Sequence, residues 1–193
     1  MEQMILGVDP GTLILGYSIL RVTDNKPSVE ALDVLYLKNI DDYNLRIRKI
    51  FDSMIQVIDT YHPDHLAIEA PFCGKNVQSM LKLGRAQGVT IAAAMSRDLS
   101  FSEYEPRVIK QYVTGNGAAS KEQVHRMLEM HLNTDLHTKY LDASDALAAA
   151  YTCYLAQNSP LSQVGSMFKS KGRPKGRKQQ WTDFLEHNPD RFL

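Results

Sequence analysis

The sequence predicts an α/β fold: a five-stranded mixed sheet, three antiparallel strands followed by parallel additions, flanked by helices. Three observations carry this. The chain opens with three short apolar segments joined by turn-rich links. A segment of helical period then lies between two strand-like segments. Residues 107–158 are helical in period and close on an alanine-rich stretch, ahead of a basic tail.

The first strand is Ile5-Leu6-Gly7-Val8-Asp9, stopped by Pro10 and Gly11. Side chains alternate along it, so Ile5, Gly7 and Asp9 share one side. Gly16 to Val22 and Ser28 to Tyr36 read as the next two strands, with Asp24-Asn25-Lys26-Pro27 as the link between them. Short links predict an antiparallel meander. Asn44 to Tyr61 carries Leu45, Ile47, Ile50, Met54, Ile55 and Ile58 at helical spacing, and Pro63 follows its end. Leu66-Ala67-Ile68-Glu69 is a short buried strand. A strand, a helix and a strand back into the same sheet favour a parallel right-handed crossover. That topology brings the ends of the Asp9 and Glu69 strands to one sheet edge.

Ala70 to Lys75 reads as a loop. Asn76 is placed to cap a long helix reaching about Leu99, with Gly84 and Gly88 inside it. Phe101 to Glu105 is the fifth strand, and Arg107 to Val113 a short helix stopped by Thr114-Gly115-Asn116-Gly117. Ser120 and Gln123 have capping-box spacing for a helix reaching about Leu132. Asp142 to Asn158 is the last helix. Its Ala146, Ala148, Ala149 and Ala150 allow close packing on a sheet.

The chemistry concentrates in four acids on apolar elements. Taken alone, Asp9 is equally well read as a turn cap. Asp142 and Asp145 are three apart and share a helix face. A helix dipole accounts for Asp142. It accounts less well for Asp145, which core-like alanines surround. If Asp9, Glu69, Asp142 and Asp145 converge, two unit charges brought to 4 Å cost about 4 kcal/mol at an effective dielectric of 20. Such a cluster calls for divalent cations, and an all-oxygen donor set selects Mg²⁺ or Mn²⁺ over zinc.

Charge is unevenly distributed. Residues 1–160 carry 15 Lys+Arg against 19 Asp+Glu, whereas residues 161–193 carry 7 against 3. The division expected is a body over residues 1–158 and a basic C-terminal tail over 159–193. The tail run Lys169, Lys171, Arg173, Lys175, Arg177 and Lys178 reads as a solvated end and equally as a nucleic-acid arm. Glu2 stands where a signal peptide carries positive charge, and no segment reaches membrane-spanning length. Cys73 and Cys153 form neither a disulfide framework nor a metal spacing. These features predict a cytoplasmic protein with no membrane partner.

Four motifs in order resemble the bacterial RuvC Holliday-junction resolvases, a family of RNase-H-like fold. They are Gly7-Val8-Asp9-Pro10-Gly11-Thr12; Ala67-Ile68-Glu69 with Phe72 and Lys75-Asn76 after it; Leu81-Lys82-Leu83-Gly84; and Asp142-Ala143-Ser144-Asp145-Ala146-Leu147-Ala148. The resemblance covers about residues 4–157. It implies a structure-selective endonuclease that nicks four-way DNA junctions in recombination and repair. The implied catalytic and metal-binding carboxylates are Asp9, Glu69, Asp142 and Asp145, holding two Mg²⁺ for which Mn²⁺ can substitute. The implied DNA contacts are Phe72, Lys75, Asn76, Lys110 and Lys121. The long helix maps onto the family's homodimer interface, and the RuvA and RuvB branch-migration proteins are the implied partners. Ala70-Pro71 and the order of Arg85 and Gln87 depart from the family pattern.

Blander roles compete at several positions. Phe72 fits a core plug as well as an exposed stacking ring. Lys110 and Lys121 are ordinary surface lysines by default, although Lys121 opens a helix after a glycine-rich loop. His62 and His65, around Pro63-Asp64, read as solvated. Two other functions are open to the same residues. An actin-like sugar kinase or ATPase shares the Asp9-Pro10-Gly11-Thr12 type of loop but needs a far longer chain. A non-catalytic DNA-binding module leaves the acidic quartet unexplained.

Overall fold

The protein is described by a computed structural model covering residues 2–71, 76–136, 138 and 140–158. The chain divides into two units, residues 1–157 and 158–193. The elements run β1 (Glu2–Asp9), β2 (Ile14–Thr23), β3 (Lys26–Tyr36), α1 (Tyr43–Tyr61), β4 (His65–Glu69), α2 (Val77–Met95), β5 (Ser100–Tyr104), α3 (Pro106–Thr114), α4 (Lys121–Leu132) and α5 (Leu141–Asn158). One sheet takes the strand order β3-β2-β1-β4-β5. The first three strands are antiparallel, and β1, β4 and β5 run parallel. The expected meander and crossover are both present.

Local chemistry explains the element ends. Asp24 and Asn25 both take positive φ, at 51° and 61°, and make a two-residue hairpin turn. The strand β3 therefore begins at Lys26, two residues earlier than the turn-rich composition predicts. Pro27 is tolerated because β3 is an edge strand. Asp42 accepts from the Leu45 amide at the start of α1, and left-handed His62 ends that helix. Ser120 and Gln123 exchange the two bonds of a capping box at α4. The helix α2 stops at Met95, short of the predicted Leu99. Asp98 turns into the left-handed region, and the Leu99 amide folds back onto the Ala94 carbonyl. Arg97 holds this turn against α1 through a two-pronged bond to Asp59 at 2.7 and 2.9 Å.

The sheet separates two apolar layers. On one face Leu6, Val8, Leu15, Ile19, Leu66 and Ile68 pack against Ile50, Met54 and Ile58 of α1 and Ala86, Ala93 and Ala94 of α2. On the other, Ile5, Leu20, Val22 and Ala67 meet Ile109 and Val113 of α3, Val124 and Leu128 of α4, and Leu147 to Tyr151 of α5. Every residue of α5 from Ala143 to Tyr154 is buried. A helix enclosed on all sides must sit very close to its sheet, and two strand glycines permit it. A Cβ on Gly7 would lie 2.1 Å from the Ala146 carbonyl oxygen, and one on Gly16 would lie 1.9 Å from that of Asp142.

His65 corrects one expectation. It is half-buried rather than solvated, with Nδ1 at 2.8 Å from the Ser100 hydroxyl and Nε2 at 2.9 Å from that of Ser102. Burial lowers its pKa. Its place at the start of an interior strand, between β1 and β5, was not visible from the Pro63-Asp64 turn before it.

Candidate active site

The site forms where the C-terminal ends of β1 and β4 meet the N-terminus of α5. The parallel register pairs Gly7 with Ala67 and Val8 with Ile68, so Asp9 and Glu69 end adjacent strands at the same edge. Asp9 also pairs with Gly16 across the antiparallel β1–β2 ladder. Gly16 in turn underlies the Asp142 carbonyl. The absent side chain at Gly16 thus lets the first turn of α5, with Asp142 and Asp145, descend beside Asp9. Gly16 carries no side-chain chemistry that would mark it as part of a site. Only the rule that glycine inside a strand marks a close approach could have found it.

The electrostatics show the convergence. Burial raises the Asp9 pKa well above the ordinary carboxylate value, and the charges of Glu69, Asp145 and Asp142 add to it. Glu69 is pushed up to about 7 by burial and by Asp145, against the opposing pull of Lys121 and Lys110. Asp145 is raised by burial and by Asp142, despite its ion pair with Lys121. Burial alone would lower the Lys121 ammonium. Its hydrogen bond to Asp145 and the charges of Asp145, Asp9 and Asp142 reverse that and raise it. Lys121 is the first residue of α4, so the capping box that fixes α4 also fixes the lysine.

The structure therefore brings together Asp9, Glu69, Asp142, Asp145 and Lys121, with Lys110 of α3 within electrostatic reach. Phe72 and Lys75 lie outside the described residues, as do Cys73 and the basic tail. Asn76 is exposed and caps α2, its Oδ1 accepting from the Ser79 amide at 3.1 Å. The exchanged pair on α2 takes two separate roles. The Arg85 guanidinium lies 5.8 Å over the Tyr43 ring, whereas Gln87 is buried and donates to Glu103 at 2.6 Å.

Among the described residues, no three His, Cys, Asp or Glu side chains are spaced to hold a metal ion. Lys121 forms an ion pair with Asp145. The donor set fits hard divalent cations, because it is all oxygen and because burial raises the pKa of Asp9, Glu69 and Asp145, so that their ionised forms gain from added positive charge.

The family model described as crossover junction endodeoxyribonuclease RuvC matches residues 5–153. A curated relative of that name from Porphyromonas gingivalis is 48% identical over 192 residues, covering 98% of this chain and 97% of the relative. One from Bacteroides fragilis is 46% identical, covering 98% and 96%. The structure of Thermus thermophilus RuvC in complex with a Holliday junction substrate superposes with a TM-score of 0.74 at 25% identity, covering 81% of this chain and 96% of that one. A yeast mitochondrial Holliday junction resolvase shares the fold, with a TM-score of 0.57 at 14% identity.

Proposed function

The chain belongs to the RuvC family of crossover junction endodeoxyribonucleases, and we propose that Asp9, Glu69, Asp142 and Asp145 are its catalytic set. It is an endonuclease that resolves four-way DNA junctions. The observation that carries the site assignment is the convergence of the four acids and Lys121 where β1 and β4 end beneath α5. The four carboxylates would hold two Mg²⁺, which when bound supply activation of a water nucleophile and neutralisation of charge on the departing 3′ oxygen.

The chain's own groups do the rest. Asp9 ends β1 between Glu69 on the parallel side and Gly16 on the antiparallel side. Lys121 holds its proton, as its raised pKa requires, and offers a fixed positive charge to the phosphate. Lys110 adds a second from α3. Phe72, Lys75 and Asn76 would contact the junction beside the cut. The kinase reading loses its ground with the family match.

We assign the dimer contact to α2. Val77, Leu81 and Met95 are 62%, 52% and 61% exposed. With Gly84, Gly88 and Ala92 they make one stripe at spacings of three and four. A Cβ added at Gly84 or Gly88 meets nothing within 4 Å, so one copy of the chain gives these glycines no packing role. A two-fold dimer would match the two-fold symmetry of a junction. The basic residues of 159–193 would contact phosphates without reading sequence, and their removal should flatten the salt dependence of binding. No helix among the described residues is long and apolar enough to cross a membrane. We place the protein in the cytoplasm, with the RuvA and RuvB proteins as partners.

The test is incubation with a synthetic four-way junction and Mg²⁺, followed by mapping of the nicks. Paired symmetric nicks that vanish in Asp9→Asn support the assignment. Undiminished nicking by that variant overturns it.

A further inference from the structure

Beside the acids lies an aromatic pair that the reaction as described does not use. Tyr36 ends β3, and Tyr140 immediately precedes α5. Their ring centroids are 6.3 Å apart and tilted by 44°. Lys38 Nζ stands 6.0 Å from the centre of the Tyr36 ring. Tyr36 is 45% exposed, so the pair is not a buried packing contact.

The register fixes where this pair points. Asp9 pairs with Gly16, Gly16 with Val34, and Ile14 with Tyr36. Positions 34 and 36 share a face, so the Tyr36 ring lies on the same face of the sheet as Asp9 and the start of α5. It is two strands across, about 10 Å, and two residues along, about 7 Å. That separation spans about four nucleotides of a stacked strand at roughly 3.4 Å of rise each. An exposed ring with a lysine over it, at this distance from a phosphodiester site, suits one ligand chemistry. A nucleobase stacks on the ring and the ammonium takes an adjacent phosphate.

We propose that Tyr36, backed by Tyr140 and flanked by Lys38, stacks an unpaired nucleobase of the junction strand within about four nucleotides of the cut. The assignment rests on the nuclease reading above. It makes Tyr36 a binding residue that seats the strand, on the opposite side of β1 from β4. Tyr140 is a positioning residue, because it supports the ring from the chain segment that leads into Asp142.

The experiment uses full-length protein and four-way junctions carrying 2-aminopurine at single positions around the nick. Fluorescence is read with EDTA present, so binding is followed without cleavage. Nicking kinetics are then read in Mg²⁺. One labelled position should change its emission on binding wild type and lose that change with Tyr36→Ala. That variant should raise KM by between about five- and a hundredfold, the range for removing one stacked base, with kcat little altered. Tyr36→Phe should keep both signals, because the ring is retained. Lys38→Ala should weaken binding and reduce the salt slope by about one. Tyr36→Ala with wild-type fluorescence and KM overturns the proposal. So does Tyr36→Phe failing as badly as Tyr36→Ala, since a hydroxyl contact would then be at work. Wild type that binds and shifts the probe but never cuts would leave the stacking site standing and overturn the nuclease assignment instead.

Discussion

The helices α5 and α2 carry the same compositional mark and use it in opposite ways. Both are rich in small residues. In α5 the alanines lie against strand glycines, and Ala146 approaches Gly7 so closely that a single methyl group cannot be added. In α2 the buried small residues, Ala86, Ala93 and Ala94, face α1 and the sheet, while Gly84 and Gly88 face open space. Small residues on a helix therefore report that something comes close. They do not report what. For α5 it is the sheet of the same chain, and the consequence is an acidic site. For α2 the structure of one chain supplies no occupant, and a second copy is the reading we favour.

The largest effects are expected at the acids. Asp142→Asn and Asp145→Asn, like Asp9→Asn and Glu69→Gln, should each slow nicking by at least about a thousandfold, roughly 4 kcal/mol of barrier. Junction binding should persist, because shape recognition lies elsewhere. Gel-shift and cleavage assays on the same preparations separate the two. A variant that nicks at a near-normal rate removes that residue from the catalytic set.

The glycines come next. Gly7→Ala and Gly16→Ala place a methyl against a backbone carbonyl that cannot move alone. Each should cost about 3 kcal/mol or more in stability and displace α5 from Asp9. Urea unfolding measures the first effect and residual nicking the second. If either variant keeps both stability and activity, α5 is not seated as tightly as the distances say. Gly84→Leu is the contrasting case. Its Cβ meets nothing within 4 Å in one chain, and the change gains about 1 kcal/mol in helix propensity. Its unfolding stability per monomer should hold or rise, while sedimentation should show loss of the dimer and nicking should become unpaired. A dimer unaffected by Gly84→Leu moves the interface off α2.

The smallest effect is on pH. Glu69 has a pKa of about 7 in the fold against 4.5 as its reference. A raised carboxylate pKa means the protonated form favours folding. That stabilisation is fully present below the reference value and is lost as pH rises through about 7. Without divalent ions, melting temperature should fall between about pH 4.5 and 7, and Glu69→Gln should flatten the fall. Added Mg²⁺ should restore stability at pH 8, where the carboxylates are ionised. A profile that Glu69→Gln leaves unchanged would show that Glu69 is not buried among like charges.

Much of this was legible in the residues alone. Strand alternation put Ile5, Gly7 and Asp9 on one face, and strand–helix–strand order brought Asp9 and Glu69 to one edge. Helical spacing paired Asp142 with Asp145, and the capping box at Ser120 fixed the start of α4 and so the place of Lys121. These are local rules, with periods of two or three to four residues and caps three residues long, and a linear sequence carries them fully. Other features needed coordinates. The seating of α5 on Gly7 and Gly16 joins residues more than a hundred positions apart. The capture of His65 by Ser100 and Ser102 depends on which strand lies beside β4. The meeting of Tyr36 with Tyr140 depends on the close descent of α5. Order and type of the elements and the identity of the candidate acids follow from the residues, because backbone geometry is short-range, while the start of β3 and the end of α2 do not. Only the tertiary structure decided which small residues become contacts and which acids share a field, because packing and Coulomb interactions act through space rather than along the chain.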